Sequence, residues 1–303
     1  MTDSAEYIPP TSASIAERQN DDEALRLLLA QRCLYTKAKR WQGVRWIGLV
    51  VLGVAAPFVS ILVPWLAVAA GAVTGLWLFV GRTLLTSAET RTMTKAAAIQ
   101  EELDLYIFGM PRIIDRTSMP SIEEVELLVQ SDVGLREAAE RERLVDWYDV
   151  ESTHPGAETV AIAQRTNASY TDSLIRSAVR VWAVVTVIWL TVLFIWSALS
   201  GLAFGLVLLG VIFPVLPAVL DVAEYLRSTW RAAQDRADLA RTIQSRIEDE
   251  SAVTGQELLA WQVQMYDLRR TTPQVPDWLY KITRNRNETA MHAAAKRLRK
   301  GKK

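Results

Sequence analysis

Two stretches of the chain carry no charged residue: Trp46–Gly81, between Arg45 and Arg82, and Val181–Leu220, between Arg180 and Asp221. A bilayer crossing needs ~20 apolar residues at 1.5 Å rise per residue. Each stretch is too long for one crossing and about right for two joined by a short turn. In hydrocarbon every backbone N–H and C=O must find an internal partner, so the stretches are expected to be helical. The pattern predicts an all-α integral membrane protein with two transmembrane helical hairpins, four crossings in all, and helical cytoplasmic extensions. The turns fall at Leu62-Val63-Pro64-Trp65 and Ser197-Ala198-Leu199-Ser200-Gly201.

The remaining segments alternate apolar and charged positions at helical spacing. Residues 1–13, with Pro9-Pro10, read as disordered. Residues 14–45 read as a lead-in helix, capped by Ser14 with Glu17 and continuing through Leu25, Leu28, Leu29 and Tyr35. Residues 82–180 form a helical cytoplasmic region. Within it a long helix runs from Arg82 to Phe108 and is stopped by Gly109 and Pro111. Two short amphipathic helices follow the Ser121/Glu124 capping box, and a helix from Glu158 leads into the second charge-free stretch. Residues 221–295 form another helical region, beginning with a long helix to Asp249 and broken at Thr272-Pro273. Residues 296–303 are a basic tail.

Charge orients this scheme. Lys37, Lys39, Arg40 and Arg45 precede the first hairpin, and Arg82, Arg91 and Lys95 follow it. Arg165, Arg176 and Arg180 precede the second, and Arg227, Arg231 and Arg236 follow it. The turns are uncharged. The positive-inside rule places both termini and the middle region in the cytoplasm. The crossings hold no Asp, Glu, Lys, Arg or His, which argues against a proton-coupled pump. Ala67, Gly71 and Gly75 share one face of the second crossing, and Gly201 and Gly205 open the fourth. Such spacing lets helices approach closely, within one chain or between subunits.

Composition removes several functions. Lys+Arg and Asp+Glu balance at 34 each, so no global charge points to DNA or RNA. The one cysteine, Cys33, excludes an internal disulfide and a Cys-rich metal site. No phosphate-cradling Gly-rich loop, G-x-S-x-G or H-E-x-x-H is present, and the two histidines, His154 and His292, are far apart. No catalytic residue, metal site or cofactor is expected. Three polar segments do pair rings with cations: Tyr35 with Lys37, Lys39 and Arg40; Arg165 with Tyr170 and Arg176; and Trp278 and Tyr280 with Lys281, Arg284 and Arg286. A ring that stacks on a base beside cations that hold phosphate suits a nucleotide. The same residues also serve as interfacial anchors with snorkelling cations.

The order of several short motifs resembles the S-4TM family, the SMODS-associated four-transmembrane effectors of bacterial cyclic-oligonucleotide-based anti-phage signalling systems (CBASS). The matching segments are Ile15–Asn20 with Leu34–Lys39, Gln100-Glu101-Glu102-Leu103-Asp104 through Pro111, Gln164-Arg165-Thr166-Asn167 with Leu174-Ile175-Arg176, and Pro276–Lys281. The resemblance implies an inner-membrane effector that binds a cyclic oligonucleotide from a partner synthase, oligomerises and disrupts the bilayer. Arg165, Arg176, Trp278, Tyr280, Lys281, Arg284 and Arg286 are the candidate ligand-sensing groups. Two other classes remain open on the residues: a non-conducting membrane-anchored scaffold that binds a protein partner, and a constitutive small-ion channel.

Overall fold

The computed structural model describes residues 6–130, 133–151, 154–199, 201, 205, 212–249, 251–272, 274–275, 289, 293, 296 and 298. Among these the chain is all-helical. Helix α1 spans Ser12–Arg18, α2 Asp22–Leu62, α3 Ala67–Val80, α4 Thr86–Phe108, α5 Ile122–Val129, α6 Leu135–Glu142, α7 Gly156–Leu199, α8 Phe213–Glu248 and α9 Gly255–Thr271. A 3-10 turn, Pro64–Leu66, precedes α3, and a π-helical turn, Gly81–Leu85, joins α3 to α4.

The first turn falls where the uncharged Pro64 predicts it. α2 ends at Leu62 and the chain runs back along it. Trp77 Nε1–H donates to the Arg45 carbonyl at 3.4 Å, Arg45 donates to Thr86 Oγ1 at 2.7 Å, and Tyr35 donates to Gln100 Oε1 at 2.8 Å. Gly48 makes this approach possible: a Cβ there would lie 2.0 Å from the Trp77 ring. α7 ends at Leu199, and Gly201 (φ +63°) takes the left-handed conformation that glycine supplies without a Cβ clash.

Three helices among the described residues are long and apolar enough to cross a membrane: Asp22–Val59, Val68–Phe108 and Gly156–Trp196. Only their charge-free portions are read as membrane-spanning. There the apolar side chains point outward: Val68 is 85 % exposed, Phe79 65 % and Phe194 75 %. A fully buried side chain of this kind gains ~1.5–3 kcal/mol, so such surface is stable only against another apolar medium. Most of residues 202–211 lie outside the described set.

The other end of the same helices forms a packed apolar core. Ile15, Leu25 and Leu28 pack with Ile99, Leu103, Ile107 and Phe108, and with Val160, Ile243, Ile247, Leu258 and Met265, all essentially inaccessible. α5 and α6 lie against α2, and Lys95 pairs with Glu124 of α5 at 2.6 Å.

Four expectations are corrected here. The lead-in helix is two helices. Thr11, not Ser14, caps α1, its Oγ1 accepting from Ser14 N–H, and Asp21 caps α2, because its side chain accepts from Ala24 N–H at 3.0 Å. Within residues 1–13, read as disordered, residues 6–11 form a strap that leads into α1: Tyr7 is buried, its hydroxyl donates to the Phe108 carbonyl at 2.7 Å, and Ser12, the first residue of α1, bonds Thr159 at 2.6 Å. The strap crosses Gly156 and Gly255 so closely that a Cβ on either would strike its backbone within 2 Å. Gly201 lies in a turn rather than on a helix face. A helix not anticipated, α9, fills the space between Asp249 and Thr272, and it starts with a full Thr254/Glu257 capping box.

Candidate functional site

The polar motifs of the sequence converge inside the helical bundle. α4 supplies Gln100 and Asp104, α7 supplies Gln164, Arg165 and Asn167, α2 supplies Tyr35, α8 supplies Arg236, and α9 supplies Gln262 and Arg269. Tyr148 comes from the segment between α6 and α7.

Asp104 is the hub. Its Oδ1 accepts from the Tyr148 hydroxyl at 2.5 Å, and its Oδ2 accepts from Gln262 Nε2 at 2.8 Å and Arg269 Nη1 at 2.7 Å. Gln164 Nε2 bridges the Leu258 carbonyl and Gln262 Oε1 at 3.1 and 3.0 Å. The side chains of Asp104 and Arg269 are 1 % and 3 % exposed, so this is a buried ion pair held by extra hydrogen bonds. A buried pair needs those bonds because desolvating two charges costs several kcal/mol each.

Arg236 enters on an otherwise apolar stripe of Ala232, Ala233, Leu239, Ala240 and Ile243. Its Nη2 donates to the Leu268 carbonyl at 2.9 Å and Thr272 Oγ1 at 3.2 Å. Burial, then the nearby Arg269 charge, pushes it down to about 10, and it keeps its charge at neutral pH. Burial lowers Arg269 too, but the Asp104 carboxylate, together with Tyr148 and Tyr35, outweighs it and holds Arg269 above the usual arginine value. Burial pushes Tyr35 up to about 12 and Tyr148 well above its ordinary value. Both phenols therefore stay neutral donors.

Several guanidinium N–H groups in this core have no partner among the described residues: Nε and Nη1 of Arg165, Nε and Nη1 of Arg236, and Nε and Nη2 of Arg269. Arg165 Nη2 donates to Gln244 Oε1 at 2.9 Å, and burial lowers its pKa. Arg176 is placed differently. It pairs with Asp172 at 2.7 Å and lies over the Trp230 ring at 4.9 Å, a ring-and-cation pair made within the chain. Trp278, Tyr280, Lys281, Arg284 and Arg286 lie outside the described residues. The chain reaches them from beside Arg236, because Thr272 bonds Arg236 and Val275 packs on Ile175, Ala178 and Ala233.

A family model described as the SMODS-associating 4TM effector domain matches residues 13–298. The chain belongs to that family. No curated protein and no solved structure matches it. The effector-domain motifs quoted from the sequence are the segments that build the polar core: Tyr35, Gln100–Asp104 and Gln164–Asn167 all meet there. Arg236, Arg269, Gln262 and Tyr148 were missed in the sequence. Arg236 carried a signal, a lone arginine at the centre of an alanine-rich stripe. The others carried none, since their partners are far off in the chain.

The small-residue faces are open. Among the described residues, a Cβ added at Gly71, Gly75 or Gly205 would meet nothing within 4 Å. Ala67 lies outside the described side chains. At the bundle edge of the apolar zone Trp46 stacks on Trp182 (5.3 Å) and meets Tyr225 edge-on (5.0 Å). There Arg45 pairs with the buried Glu89 at 3.3 Å, and Arg82 pairs with Asp221.

Proposed function

We propose that this effector-domain protein disrupts the bacterial inner membrane when a cyclic oligonucleotide from its partner synthase binds the cytoplasmic bundle. It crosses the bilayer four times as two hairpins, with both termini in the cytoplasm, and it acts as a homo-oligomer without catalysis.

One observation carries the reading. Of the five helices that supply the polar core, α2, α7 and α8 carry charge-free residues themselves and α4 continues from α3 through the π-helical turn; only α9 stands apart from the charge-free stretches. Tyr35 is about 16 Å along α2 from Trp46, and Gln100 is about 28 Å from Gly81 through α4 and the π-helical turn. Arg165 and Arg236 are each about 24 Å along their helices from Val181 and Leu220. A ligand that favours one arrangement of the core therefore acts on the membrane helices through continuous backbone. It shifts the population toward the disrupting state only by its differential affinity for that state. The polarity-poor crossings with open glycine faces support assembly of several copies rather than a conduction path inside one chain.

In cells, co-expression with an active cyclic-oligonucleotide synthase should admit a membrane-impermeant dye, and a synthase lacking its catalytic carboxylates should not. Dye entry that is equal with both synthases supports a constitutive channel. No entry with either supports a scaffold.

A further inference from the structure

Arg269 and Arg236 present donors that no described residue of the bundle uses. Arg269 is anchored through Nη1 on Asp104, which leaves Nε and Nη2. Those two atoms share one edge of the planar guanidinium, and their parallel N–H groups form the fork that matches two oxygens of a phosphate. Arg236 is anchored through Nη2 on the last turn of α9 and on Thr272, which leaves Nε and Nη1. Both side chains are more than nine-tenths buried. The two cations lie close enough to perturb one another, and Tyr35 and Asp172 are the other charged or titratable groups that act on Arg236. Asp172 is committed to Arg176 at 2.7 Å.

The local charge is unbalanced. Three guanidinium groups (Arg176, Arg236, Arg269) face two carboxylates (Asp104, Asp172), an excess of one positive charge. A buried cation without a counter-ion costs several kcal/mol, and proteins resolve that with an anion or a pKa shift. An anchoring role alone does not account for it. A methionine on α8 would fill the same space without the charge, and the helix-end carbonyl of Leu268 needs no buried guanidinium.

We infer that Arg236 and Arg269 form the receptor for one phosphodiester group of a soluble ligand, the fork of Arg269 taking its two unesterified oxygens and one free donor of Arg236 adding a further bond to one of them. One negative charge balances the excess. Arg236 lies about 24 Å along α8 from Leu220, beyond the reach of a lipid headgroup, so the phosphate comes from solution. The site opens only if the end of α9 moves off α8, which couples occupancy to a helix that enters the membrane. The inference rests on the effector reading for the source of the phosphate, but not for the site.

The test uses the full chain in detergent. Inorganic phosphate, compared with chloride at equal ionic strength, should raise the melting temperature by about 2–4 °C. In Arg236→Met the rise should vanish, while the protein without phosphate melts no lower than wild type, because an unpaired buried charge has been removed. No rise in wild type, or an equal rise in Arg236→Met, overturns the proposal. Should Arg236→Met not be recovered folded, Arg236→Lys keeps the charge without the planar donors. Its rise should then be clearly smaller, and an equal rise overturns the site. Dye-loaded vesicles given cyclic di- and trinucleotides separate the two readings. Release from wild type but not from Arg236→Met supports both. Release from both proteins overturns the site and leaves the effector reading standing. Release from neither overturns the effector reading, while the melting shift still decides the site.

Discussion

Arg269 and Asp104 meet across 2.7 Å with their side chains 3 % and 1 % exposed, although 165 positions separate them in the chain. This contact ties α9 to α4 and sets which edge of the arginine stays unused. Breaking such a pair from one side leaves an uncompensated buried charge, at a cost of about 3–5 kcal/mol. Asp104→Ala should therefore unfold the bundle at a markedly lower temperature. The double variant Asp104→Ala/Arg269→Met should recover more than half of the loss. A single variant that melts within a degree of wild type contradicts the hub role of Asp104.

The first reversal depends on Gly48. A Cβ there falls 2.0 Å from the Trp77 ring, so Gly48→Ala forces the indole out of place. Overpacking of this kind costs about 1–3 kcal/mol. Thermal unfolding in detergent should show the loss, and adding Trp77→Leu should restore most of it. An unchanged melting temperature in Gly48→Ala would mean that the two helices do not approach there.

Gly71 and Gly75 give the opposite expectation. No described residue lies within 4 Å of a Cβ at either position, so Gly71→Ile and Gly75→Ile should leave folded yield and membrane insertion unchanged. Chemical cross-linking in membranes should show fewer oligomers, since the larger side chains keep neighbouring helices apart. A fall in folded monomer with normal cross-linking would place these glycines in intramolecular packing instead.

Alkaline pH reports on Tyr35. Burial pushes this phenol up to about 12 from 10.0. The folded state holds the proton more tightly than the unfolded state, so the contribution to stability is whole below pH 10 and is lost as pH rises through 12. The difference in tyrosinate absorbance between wild type and Tyr35→Phe should appear only toward the upper end of that window. A difference centred on 10 in folded protein contradicts the burial of Tyr35.

Much of this was legible in the sequence, for identifiable reasons. Hydropathy is a local property, so Trp46–Gly81 and Val181 onward announced themselves without tertiary information. The stop at Gly109 was legible because its φ of +62° is a backbone conformation that favours glycine. The break at Gln19–Asp21 was passed over because the Ser14/Glu17 pattern was read as the one helix start, although Glu17–Glu23 carries no apolar residue and Asp21 can itself cap a helix. The strap 6–11 was hidden because Pro9-Pro10 reads the same whether it is free or packed. At the site, motif order located Gln100–Asp104 and Gln164–Asn167, and Arg165 was chosen from them. Arg236 and Arg269 acquire meaning only when α8 and α9 are brought together, which no local pattern encodes.

The most direct measurement is dye release from vesicles carrying the purified full-length protein, with and without a panel of cyclic oligonucleotides. The account predicts no release from protein alone and rapid release with one member of the panel. Steady release without any nucleotide, or none with every nucleotide, would contradict it.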